Sequence, residues 1–283
     1  MKDTAPHAAL LHCSWVLSIT LLATACGVSP PQVNPLAATP YPAIGQLVVD
    51  DGADRRWCTA TLVAPDRVLT AAACVLLDSV PVLQTVAPEQ VQFVAADPLR
   101  SQRRAVQVLV HPEFQDLRSC YRVPRDGCGA FLRDCPSPAE GDRGPLPEIC
   151  TARLARRDHD LAVVQLQSPI PDLQLARLSL VQLHVDLVEE SMWTVGRGAG
   201  PQHRAAWGLQ HILAVGPHLL HTLSQAMRLL GPGDTGAPLF NVDPATTDTA
   251  TVHAVYSGLA EGDTALFTRL DRHGDFLTGA IQP

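Results

Sequence analysis

Short runs of β-branched or alternating apolar residues recur between residues 43 and 270: AIGQLVVD, CTATLVAPDRVLT, VQFVAA, AVQVLV, DLAVVQL, MWTVG, HILAVG, TVHAVYSG and ALFTRL. Turn residues separate them, and no repeated helical pattern lies between them. Alternation puts successive side chains on opposite faces, so such a run buries its apolar face only by joining a sheet. Many short strands at this spacing indicate an all-β chain, an antiparallel barrel or sandwich. There is no internal repeat of fixed period.

The chain has 283 residues, 46% of them hydrophobic and 17% charged, enough for one large core or two modest ones. Its formal charge of −7 leaves no basic patch for nucleic acid and no polybasic membrane tether. No cofactor-binding motif and no C-x-x-C or H-x-x-x-H metal pair is present, so neither cofactor nor metal is expected.

Residues 1–25 read as a signal peptide, with Lys2 near the start and the apolar run WVLSITLLATA ahead of Cys26. That run is shorter than the roughly 20 residues a bilayer span needs. ATAC resembles a bacterial lipobox in which Cys26 would be lipidated, with Ala23 where leucine is usual; the alternative is a plain A-x-A cleavage site. The Pro-rich stretch over 26–41, VSPPQVNP within it, favours a tether. The expectation is an exported chain, either a lipoprotein of the bacterial cell envelope (periplasm or outer membrane), held to the membrane through an N-terminal lipid, or a secreted protein.

Beyond Cys13 and Cys26 six cysteines remain: Cys58, Cys74, Cys120, Cys128, Cys135 and Cys150. An even number in an exported chain suggests disulfides. Residues 116–157 hold four of them among prolines and mixed charges without apolar periodicity. This reads as one long insertion cross-linked by its cysteines, whose pairing has three alternatives.

Three segments together resemble the trypsin-like serine proteases of the chymotrypsin fold. CTATLVAPDRVLTAAAC resembles C-x-G-x-L…V-L-T-A-A-H-C, HDLAVVQL resembles D-I-A-L-L-x-L, and GDTGAPLF resembles G-D-S-G-G-P-L, in the family order. HPEF, VGRG and ALFTRL add weaker matches, so the likeness runs from about Pro42 to about Leu277 within a domain of residues 42–283. The resemblance implies two six-stranded antiparallel β-barrels with a C-terminal helix or turn, and a Cys58–Cys74 disulfide.

In that family a serine attacks the carbonyl, a histidine takes its proton, an aspartate orients the histidine, and backbone N–H groups hold the oxyanion. By resemblance the base position is Ala73, the carboxylate Asp160, the nucleophile Thr235, and the oxyanion donors the N–H groups of Gly233 and Thr235. Alanine accepts no proton, and threonine's extra methyl crowds the attack path. The specificity pocket would be lined by Leu229, Tyr256, Ser257 and Gly258, with Leu229 where a trypsin carries aspartate and Gly231 where a bracing cysteine is usual. AVYSG stands against V-S-W-G, so that Tyr256 replaces the serine and Ser257 the tryptophan. Tyr256 is then expected to fill the space left at Ala73 and to donate its hydroxyl to Asp160.

No Arg or Lys followed by an Ile-Val-Gly-Gly terminus precedes Pro42, so Asp234 needs a partner other than a freed amine. His159, beside Asp160, is read as a surface residue. Two functions compete: a non-catalytic pseudoprotease whose cleft or insertion binds a protein or peptide, and a hydrolase using Thr235 with an unconventional base. The first is preferred, because the missing base removes the step on which the second depends.

Overall fold

The computed structural model describes residues 43–52, 54–77, 84–95, 102–114, 158–200, 206–225, 230–231, 233–242, 251–260 and 263–282. The expected signal peptide, Cys26, the Pro-rich tether, Leu229 and the four cysteines of the insertion lie outside them.

Six strands form the first barrel: β1 (Ile44–Asp50), β2 (Arg55–Ala64), β3 (Arg67–Thr70), β4 (Val91–Val94), β5 (Gln102–Val110) and β6 (Ala162–Leu166). They close in the order β1-β2-β3-β6-β5-β4, every pairing antiparallel. The alternation of β4, VQFV, is legible in its burial: Val91 and Phe93 are inside, Gln92 and Val94 less so. In β6 burial is nearly continuous, and so is its apolar run.

The second sheet contains β7 (Arg177–Leu178), β8 (Ser191–Gly196), β9 (Ala206–Val215), β10 (Leu219–Ser224), β11 (Pro238–Phe240), β12 (Thr251–Leu259) and β13 (Thr264–Arg269). Six of these close through the β11–β12 pairing, and β7 adds to β12 in parallel. The architecture is thus the expected pair of six-stranded antiparallel barrels. Three strands, β7, β10 and β11, were not among the runs read as strands. The first and last are only two and three residues long, and LLHTLS in β10 does not alternate cleanly.

Each barrel has its own core, with Leu47, Leu62, Phe93 and Val163 in one and Ile212, Leu220, Leu239 and Phe267 in the other. Each such side chain contributes about 1.5–3 kcal/mol when fully buried. The C-terminal helix α1 (Gly274–Ile281) sets Leu277 and Ala280 into the first core, after crossing from the second barrel. The crossing is anchored by a buried pair: Arg269 donates from Nε (2.9 Å) and Nη2 (2.6 Å) to Asp271, whose carboxylate also receives Leu183 N–H. Burial raises the Asp271 pKa, but those hydrogen bonds and the Arg269 and Arg272 charges outweigh it, leaving a net lowering. Among the described residues no helix is long and apolar enough to cross a membrane.

Candidate functional site

The segment GDTG, residues 233–236, turns immediately before β11 and lies against β2 of the other barrel. Gly233 and Gly236 have φ of +92° and +91°, in the left-handed region that favours glycine. A Cβ on Gly236 would meet the Thr59 carbonyl at 2.1 Å, and one on Gly233 would meet Ala199 N at 2.3 Å. The turn is held from β2 by Thr59, whose N–H donates to Thr235 O (2.8 Å) and whose hydroxyl donates to Gly233 O (3.1 Å) while accepting from Arg197 N (2.9 Å). Gln46 of β1 ties the neighbouring segment that follows β8, donating from Nε2 to Gly200 O at 2.8 Å. Neither residue was singled out from sequence.

Asp234 is buried, with Oδ1 accepting from Gly198 N and Oδ2 from Gly231 N, each at 2.8 Å. Backbone amides therefore serve the carboxylate. Thr235 is half-buried, and among the described residues neither its N–H nor that of Gly233 donates to a protein acceptor.

Asp160 is fully buried between the barrels. Its Oδ1 accepts the Ala73 backbone N–H at 2.8 Å, and its Oδ2 accepts the Ser257 hydroxyl. Ala73 belongs to a short 3-10 turn, Ala72–Val75, which follows β3 and is tied down by the Cys58–Cys74 disulfide, Cα–Cα 6.1 Å. Fold and disulfide thus bring Ala73 and Ser257 onto Asp160, with the Thr235 carbonyl beside Cys74 Sγ at 3.5 Å.

The expectation for Tyr256 is corrected. Its ring packs 5.4 Å from Phe267 in the core of the second barrel, and Ser257 is the residue that serves Asp160. Along a strand adjacent side chains face opposite ways, so an alignment shifted by one residue exchanges core and site. The residue after the serine, tryptophan in the resemblance, is then Gly258, at φ 145° beside a register shift between Tyr256 and Gly258. Of the four residues assigned to the specificity pocket, Tyr256 is withdrawn to the barrel core and Leu229 is outside the described residues.

His159 is also placed differently from the expected surface position. Its side chain is only 17% exposed, and its ring lies 4.9, 4.6 and 4.9 Å from those of His111, His218 and His273. It occupies a left-handed backbone position, φ 68°, and its Nε2 is 3.4 Å from the Glu113 carboxylate. Burial, reinforced by the neighbouring imidazoles, lowers the pKa of His111 and pushes His273 down to about 3. Glu113 opposes this at His111, and Asp271 at His273.

Chemically, the junction offers a hydroxyl, two N–H groups and a satisfied carboxylate, while position 73 contributes no side-chain proton acceptor. No known protein family and no curated protein matches the sequence. The fold is similar to that of a scabies mite inactivated protease paralogue, S-I1 (TM-score 0.56, 15% identity, covering 85% of this chain and 95% of that one). It is likewise similar to kallikrein-related peptidase 10 in complex with zinc (0.55, 16%, 87% and 98%), and to HL collagenase (0.55, 14%, 86% and 95%). These likenesses establish the trypsin-like, chymotrypsin-type two-barrel fold.

Proposed function

We propose that the protein is an exported, catalytically inactive relative of the trypsin-like proteases that binds a protein or peptide in the cleft between its barrels. The observation that carries this reading is the state of Asp160: with Ala73 in the base position, its carboxylate is satisfied by a backbone N–H and a serine hydroxyl. A hydroxyl nucleophile without a neighbouring base is scarcely ionised at neutral pH. Retained scaffold with a deleted base suits binding better than turnover. One protein of similar fold is itself described as an inactivated protease paralogue.

A mode of binding is available in β12. Its pairing with β11 ends at Val255, with Tyr256 bonded to Gly236 and Ala237, while pairing with β13 continues to Leu259. Among the described residues, 257–259 therefore have one side open to an added strand, next to Thr235. Export is supported by the signal-like N-terminus and by the disulfide. Lipidation of Cys26 would place the domain at the cell envelope, and mass spectrometry of the mature terminus distinguishes this from secretion.

The decisive test is hydrolysis of fluorescent casein and a mixed peptide library by native protein, Thr235→Ala and the double variant Ala73→His, Thr235→Ser, with library retention measured in parallel. Retention without turnover by native protein is expected. Turnover by native protein that Thr235→Ala abolishes would establish the hydrolase instead.

A further inference from the structure

We infer that His111, His159 and His273 form a binding site for a zinc-class divalent metal. Their candidate ligand atoms all lie within 4.8 Å of one another, and His111 and His273 are buried with His159 nearly so. The three arrive from distant parts of the chain: the end of β5, the turn before β6, and the residue that opens α1.

Four clustered imidazoles offer nitrogen lone pairs rather than oxygen, which selects zinc or its first-row neighbours over calcium or magnesium. In a tetrahedral site with zinc–nitrogen distances of about 2.0–2.1 Å, ligand nitrogens are about 3.4 Å apart. From separations of up to 4.8 Å this is a contraction of at most about 1.4 Å, within reach of side-chain rotation. Nε2 of His273 is buried with no hydrogen-bond partner among the described residues. Glu113 sits at Nε2 of His159, the arrangement by which a carboxylate orients a ligating imidazole through its other nitrogen. His218, with its ring 4.6 Å from that of His159 and its Nδ1 buried without a partner among the described residues, stands nearest the fourth position. One contact is given up on loading. Glu113 N–H now donates to His111 Nδ1 at 3.2 Å, so ligation through Nε2 requires the ring proton to move to Nδ1.

His111 and His159 bracket the cysteine-rich stretch in sequence, and His273 is the residue immediately before α1. A metal held by all three clasps the end of β5 and the turn before β6 to the start of α1, and reaches the Asp160 position through a single peptide unit.

The test uses the untagged full-length chain, with zinc uptake measured by calorimetry and elemental analysis, and cobalt substitution read by visible absorption. The variants are His159→Asn, which tolerates the left-handed backbone, His273→Gln, and the control His211→Gln. One zinc per chain is expected, with a raised melting midpoint, tetrahedral cobalt bands free of thiolate charge transfer, at least about tenfold weaker binding in either site variant, and no change in the control. Should His273→Gln not fold, His159→Asn decides alone. Absent uptake, uptake undiminished by His159→Asn, or a thiolate signature would overturn the assignment.

Discussion

At the scale of single residues, two buried polar groups dominate. Asp160 has no exposure, and Ser257 supplies one of its hydrogen bonds. Ser257→Ala should therefore cost about 1–3 kcal/mol in denaturant unfolding, the penalty for removing a partner from a buried acceptor. Ala73→Ser should be nearly silent, because position 73 serves Asp160 through its main chain. His253 faces a cleft of about 480 Å³ with Leu183 and Met192, and neither ring nitrogen has a hydrogen-bond partner among the described residues. Burial, partly offset by Asp271, lowers its pKa from 6.5. The folded protein then holds His253 neutral where the unfolded chain begins to protonate it, so its contribution is full above about pH 6.5 and declines as pH falls toward the folded value. Urea midpoints followed against pH should show a shallower acid loss in His253→Leu than in wild type. The meeting of Ala73 with Asp160 was legible because motif spacing survives changes of residue. The exchange of Tyr256 and Ser257 was not, since a one-residue offset changes nothing in composition but reverses every side chain on the strand.

Elements meet at the turn before β11, where Thr59 of β2 binds both Gly233 and Thr235. Gly236→Ala should be among the most damaging small substitutions in the protein. Its methyl would lie 2.1 Å from a carbonyl on the other barrel, at a φ that alanine rarely adopts. A loss of about 3 kcal/mol or more is expected in thermal or denaturant unfolding. The apolar alternation made most strands legible, but β7 and β11 are too short to show a period, and they are recognised only by what they pair with. The imidazole cluster was illegible for a related reason. Residues 111, 159 and 273 share no sequence spacing, and only strand order and the path of α1 unite them.

For the whole molecule, the Cys58–Cys74 bridge joins β2 to the turn bearing Ala73 across a separation of 16 residues. A cross-link of that span is worth about 3 kcal/mol in the chain-entropy account. The double variant Cys58→Ala, Cys74→Ala should lose about that much, measured by guanidinium unfolding beside the untreated wild type. The architecture itself followed from strand runs and motif order, whereas the pairing of β7 with β12 did not, because parallel additions leave no local turn signature. Both sheets close into rings, so most strand backbone is committed internally, and residues 257–259 are where β12 outruns β11. Under the proposed binding mode, a guest seated there would be gripped by its peptide groups rather than by its side chains. Such a cleft would tolerate many guest sequences but not proline, a collector of extended chains more than a reader of one epitope.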